Sequence, residues 1–121
     1  IQALNNENIT IYGKGEQTRS FCYVDDLISG VLLMMNKDKF CGPINLGNPV
    51  EISIKQLATE IIELTGSKSK LIYQPLPQDD PQQRCPDITL AKKELNWTPM
   101  FDRKDGLKKT IQYFEKILGK E

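Results

Sequence analysis

The sequence contains no histidine. That absence removes every Ser–His and Cys–His nucleophile pair and any zinc site built from cysteine and histidine. The three cysteines, Cys22, Cys41 and Cys85, are odd in number and form no Cys-x-x-Cys. They read as free thiols of a reducing, cytoplasmic compartment. Charge of one sign is not in excess either. Lys+Arg and Asp+Glu both number 16, so no field favours nucleic acid or an anionic membrane surface. The longest apolar run, Val31 to Met35, is far too short to span a bilayer. The opening residues carry no signal-peptide pattern, no segment repeats and none is of low complexity. There is no Walker motif. The run Gly13-Lys14-Gly15-Glu16-Gln17-Thr18 lacks the third glycine of a dinucleotide fingerprint.

What remains is an ordinary globular composition, 39% hydrophobic and 26% charged over 121 residues. That is enough for one modest domain, 1–121, with a core of its own. The first residue is Ile1, and Ile-Gln-Ala-Leu reads as the last turn of a helix entered halfway. The chain is therefore expected to be a piece of a longer polypeptide. Alternation at Ile9 and Ile11 predicts a strand, Gly13 to Gly15 a turn, and Ser20 to Val24 a second strand. Asp25 or Asp26 is expected to cap a helix running to about Asn36. It is apolar nearly all round and so expected to be buried, with Met34 and Met35 in the core.

Pro43 to Leu46 reads as a short strand. Ser53 and Gln56 form a capping box for a helix ended by Gly66. Leu71 to Tyr73 is a third short strand before Pro75, Pro77 and Pro81, which forbid regular structure until about Asp87. Thr89 to Leu95 is a short helix, and Asp102 caps a last helix stopped by Gly119. The mixed order of short strands and about four helices predicts an α/β fold.

Chemistry concentrates in two places. In Ile9–Asp26, a glycine turn precedes Arg19, which lies between Gln17-Thr18 and the aromatic pair Phe21 and Tyr23. Backbone N–H groups and a guanidinium can hold a phosphate there, although the same residues also suit a hairpin-like turn with a solvated arginine. Far downstream, Gln78 to Ile88 reads QDDPQQRCPDI, a polar, proline-fenced loop of the kind that often carries function. Its Arg84 and Arg19 together would make a diphosphate clamp. Asp79 and Asp80 could serve acid–base or metal chemistry, or stay solvated. Asp87 could pair with Arg84. Tyr12 and Trp97 could stack on a base, though Trp97 closes a helix and suits a core better.

These segments resemble a known family. YGKGEQTRSFCYVDDLISGV is similar to the C-terminal half of extended short-chain dehydrogenase/reductases acting on nucleotide sugars, the NAD-dependent epimerase/dehydratase superfamily. INLGNP, QDDPQQRCPDI and AKKELNWTP narrow the resemblance to UDP-glucuronate decarboxylase (UDP-xylose synthase), over Ile1 to about Leu118. The resemblance implies a lyase that binds NAD in an N-terminal Rossmann half. It oxidises UDP-glucuronate at C4, releases CO2 and re-reduces the ketone to UDP-xylose. Carried onto this chain, Tyr12 and Gly13 would lie along the uridine, Gln17 and Arg19 near the ribose and diphosphate. Arg84 would reach the diphosphate or the sugar. A proton-donating role could carry over to Arg84. Electrostatic stabilisation of the enolate is the easier role for a permanently charged guanidinium.

Two departures stand out. Cys85 replaces a basic residue usual after the arginine. No Tyr-x-x-x-Lys occurs, since Glu16, Leu27, Pro77 and Ile117 lie four residues after the four tyrosines. The chain is thus expected to be a substrate-binding region whose Rossmann half is missing. It would be inactive alone, with no cofactor or metal bound. Its partners would be a UDP-sugar, the missing half and, in the whole protein, a second copy. Self-association of the isolated piece through uncovered apolar surface is also expected. A nucleotide-sugar 4,6-dehydratase or epimerase, and a non-catalytic UDP-sugar-binding module, are the rival readings.

Overall fold

The computed structural model describes residues 1–77 and 81–120. The element order is β1 (Ile9–Tyr12), β2 (Thr18–Ser20), α1 (Val24–Met35), β3 (Glu51–Ser53), α2 (Ile54–Thr65), β4 (Leu71–Gln74), β5 (Gln83–Arg84), α3 (Thr89–Leu95) and α4 (Arg103–Leu118). The expected α/β character and helix number are borne out among the described residues. The chain divides into two compact units, Ile1–Arg19 with Ile52–Arg84 and Leu107–Glu121, and Ser20–Glu51 with Cys85–Gly106.

In the first unit, β1 and β4 pair in parallel from Ile9↔Leu71 to Tyr12↔Gln74. A second sheet has the order β3-β2-β5. The glycine turn joins strands of different sheets, so it is not a hairpin turn. Ile11, the most deeply buried large side chain, sits just before it. Local signals hold well here. The Ser53 hydroxyl accepts from the Gln56 amide at 3.2 Å, and the Gln56 carboxamide oxygen accepts from the Ser53 amide at 3.3 Å. Gly66 closes α2 in the left-handed conformation at φ 61°. Ser53→Ala is expected to cost about 1 kcal/mol, because it strips the Gln56 amide of its side-chain acceptor, while the Ser53 amide keeps the Gln56 carboxamide. A urea denaturation midpoint that does not move would contradict this.

In the second unit the core is Ile88, Ala91, Leu95 and Trp97, with Met34, Ile44 and Leu46 packed against it. Several expectations fail, in this unit and in the first. The Ser20–Val24 strand is displaced toward the N-terminus, because β2 takes its partners at Thr18 and Arg19. α1 begins at Val24 with Tyr23 at its N-cap and no side-chain cap, so Asp25 and Asp26 lie inside the first turn, and the Asp26 carboxylate is engaged elsewhere. α1 is not a buried helix. Val24, Ile28, Leu32 and Met35 are exposed, Met35 by 75%. An all-round apolar sequence shows what a helix could bury, not what covers it. Pro43–Leu46 forms no strand, and the segment is irregular around a cis Gly42–Pro43 bond. The loop from Pro75 to Asp87 is not irregular throughout, because Gln83–Arg84 joins a sheet.

Asp26 organises this unit. It is only 3% exposed. One carboxylate oxygen accepts the Met100 amide and the other the Phe101 amide, both at 2.9 Å. The Trp97 indole N–H lies 3.1 Å from the Asp26 carbonyl and 3.0 Å from the Ser29 hydroxyl oxygen. A buried carboxylate is tolerated where backbone donors replace its water. Tyr23 and Phe101 pack against each other with ring centroids 4.8 Å apart and planes tilted by 56°.

Candidate functional site

All five residues singled out from the sequence, Tyr12, Gly13, Gln17, Arg19 and Arg84, fall in the first compact unit. Tyr12 ends β1 and is 48% exposed. Gly13 and Gly15 follow with φ of 66° and 73°, in the left-handed region that a side chain disfavours. A Cβ on Gly15 would lie 3.0 Å from both Ile11 Cγ2 and Lys55 Cβ, and the Lys55 amide donates to the Gly15 carbonyl at 3.0 Å. The turn is thus packed against the start of α2, and a strand follows it. It leaves no glycine-lined cradle at a helix start, so these residues do not fit a dinucleotide pyrophosphate.

Gln17 is 8% exposed, and its carboxamide N–H donates to the Tyr12 carbonyl at 3.0 Å. Its main chain also holds α2, accepting the Ile54 amide at 3.1 Å. Gln17 therefore braces the turn that presents Tyr12.

β2 and β5 bring the two arginines together. They pair in parallel with Thr18 opposite Gln83 and Arg19 opposite Arg84, and the Thr18 amide donates to the Gln82 carbonyl at 3.0 Å. Residues in register on neighbouring strands, about 4.8 Å apart, send their side chains to the same face of the sheet. Arg19 is half-buried and its Nη1 donates to the Thr18 carbonyl at 2.7 Å. Arg84 is exposed. Like charges directly opposite one another in a ladder are destabilising, and an anion shared between them reverses the sign.

Other expectations resolve differently. The Asp87 carboxylate accepts the Thr89 amide at 2.9 Å and the Thr89 hydroxyl at 2.6 Å at the start of α3. The Thr89 hydroxyl, then the Thr89 amide, hold its carboxyl below the ordinary aspartate value. Trp97 is a core residue, not a stacking platform. Asp79 and Asp80 lie outside the described residues. Cys22, Cys41 and Cys85 are free thiols. Burial, and then the nearby Asp26 carboxylate, push the Cys22 thiol up, away from the reactive thiolate. No group of metal-ligating residues occurs among the described residues, and no described helix is long and apolar enough to cross a membrane. The second unit holds an open cavity of about 480 Å³ at the start of α4, beside Phe21, Phe101 and Arg103. None of the five residues lines it.

The β5 strand, and β3 on the other side of β2, are what the sequence reading missed. The only signal of β5 was a break in the proline fence between Pro81 and Pro86.

A profile of the family described as GDP-mannose 4,6 dehydratase matches residues 1–110. UDP-glucuronic acid decarboxylase 1 of Xenopus tropicalis is 49% identical over 118 residues, covering 98% of this chain and 28% of that protein. The chain thus spans under a third of that relative's length. UDP-glucose 4-epimerase of Thermotoga maritima, solved with UDP-glucose, superposes with a TM-score of 0.90 at 34% identity. That match covers 97% of this chain and 38% of that one. UDP-glucuronic acid 4-epimerase from Bacillus cereus, in complex with UDP-glucuronic acid and NAD, gives 0.89 at 28% identity, covering 96% and 38%. The chain belongs to the family described as GDP-mannose 4,6 dehydratase, within the epimerase/dehydratase superfamily.

Proposed function

We propose that this chain is the substrate-binding part of a nucleotide-sugar enzyme that converts UDP-glucuronate to UDP-xylose and CO2. The observation that carries the reading is the pairing of Arg19 with Arg84 across β2 and β5. Two guanidiniums on one face of a small sheet suit the two phosphates of a nucleoside diphosphate better than any single anion. Tyr12, on the turn braced by Gln17, would lie along the uridine with Gly13. Arg84 would also face the sugar, where a fixed positive charge offsets the negative charge left as CO2 departs. The decarboxylase relatives support this choice of substrate. Hydride transfer is not assigned to any residue of this chain, whose glycine turn does not fit the dinucleotide. The whole protein would bring its own NAD-binding half, and the present chain alone would be inactive.

The likeness to UDP-sugar epimerases favours a second reading, in which the whole protein epimerises or dehydrates a UDP-sugar instead. Incubating the whole protein with UDP-glucuronate and NAD separates the two. Release of CO2 with formation of a UDP-pentose is the expected result. A UDP-hexuronate epimer without CO2 would support the rival.

A further inference from the structure

The residues that follow Arg84 in the chain are held, within the second unit, by a segment with no role assigned so far. Within the second unit, three residues of Asn45–Pro49 each touch one residue of Cys85–Asp87. The Asn45 side-chain amide donates to the Asp87 carbonyl at 3.3 Å. The Cys85 thiol donates to the Pro49 carbonyl at 3.3 Å. Between them, Gly47 faces the Pro86 ring so closely that a Cβ on Gly47 would lie 2.8 Å from Pro86 Cγ. No positive φ demands glycine at position 47, so close approach is the reason for it.

We infer that Asn45–Pro49 is a positioning platform for Arg84, with Gly47 as its key residue. The inference rests on the proposed role of Arg84 in binding the diphosphate. A clash at Gly47 has no cheap outlet. The Pro86 ring can yield only by a change of pucker, because it is closed onto its own backbone nitrogen, and whatever pucker does not relieve passes to the main chain two residues from Arg84. On its other side, Arg84 is fixed by the β2–β5 ladder. The chain is thus held at Arg84 and again just after it in sequence, and a guanidinium displaced by about 1 Å loses bidentate geometry. Gly47 touches no ligand itself and acts through the loop.

The test is calorimetric titration of the whole protein with UDP for the wild type, Gly47→Ala, Arg84→Ala and the double variant. Gly47→Ala is expected to weaken UDP binding about tenfold, and to add almost nothing in the Arg84→Ala background. Gly106→Ala, which crowds Tyr23 in the same unit with a nearest approach of 3.2 Å, serves as a control for general destabilisation. It should leave UDP affinity unchanged. Wild-type affinity in Gly47→Ala, or a loss that simply adds to that of Arg84→Ala, would overturn the platform. If the wild type itself fails to bind UDP, the proposed function fails, and amide hydrogen exchange then decides the platform alone. Faster exchange at residues 85–89 in Gly47→Ala supports it, and unchanged exchange overturns it.

Discussion

Replacing Asp26 with alanine will destabilise the protein by about 3–5 kcal/mol, the largest loss expected of any single substitution away from the candidate site. The magnitude follows from what is left behind. The amides of Met100 and Phe101 each give their hydrogen to one Asp26 oxygen at 2.9 Å, and both would be stranded. Each stranded donor costs on the order of 1–3 kcal/mol, and the lost bonds are to a charged acceptor. Trp97 keeps its own bonds, because its indole N–H is aligned on the Asp26 main-chain carbonyl and the Ser29 hydroxyl, so the loss is that of the carboxylate alone. Asp26→Asn is the sharper probe. It keeps one oxygen acceptor but turns an NH2 toward the second backbone N–H, so about half the stability should return. Urea denaturation of the three proteins reads the series directly. Equal midpoints for wild type and Asp26→Ala would mean that the two amides find other acceptors, and the account of this unit would be wrong.

Arg19→Ala and Arg84→Ala will each weaken UDP binding by the whole protein, by roughly 10- to 100-fold. Each removes one charge-assisted contact to a phosphate and leaves the other in place. The two losses will not add. With one arginine gone the diphosphate re-seats on the other, and the pair are direct neighbours across a ladder. Lysine is a poor replacement at either position, because a point charge on a flexible stem does not reproduce a planar two-pronged donor. The unliganded fold should respond little. The Arg84 side chain is exposed, so Arg84→Ala should leave stability nearly unchanged without UDP. Weaker affinity with unchanged stability is the signature of a binding residue. A lysine variant that binds UDP as well as wild type would mean that simple charge, not the paired fork, makes the contact.

What could be read ahead of the fold follows from where each signal is written. The Ser53–Gln56 box, the Gly66 stop and the Asp102 cap lie within a few residues of what they control, and all three are found. The arginine turn was legible for the same reason, since Gly13, Gln17 and Arg19 occupy one short stretch. Asp26 was not. Its sequence position suits a helix cap, but its carboxylate serves amides 74 and 75 residues away. β5 was hidden more deeply. Gln83 and Arg84 have no strand pattern of their own and become a strand only because Thr18 and Arg19 offer a ladder. The nearness of Arg19 and Arg84 was reasoned from chemistry, and its register could come only from that non-local pairing. α1 is the reverse case. Its apolar residues were plain to see, yet Val24, Ile28 and Met35 lie exposed, because hydropathy does not specify a partner.

The most direct test is calorimetric titration of UDP into the whole protein and into its Arg19→Ala variant, at matched and moderate ionic strength. The account predicts saturable binding to the wild type and at least about a tenfold loss in the variant, with the fold intact. UDP bound equally well by both proteins would contradict the diphosphate clamp, and with it the assignment of this chain as a nucleotide-sugar binding region.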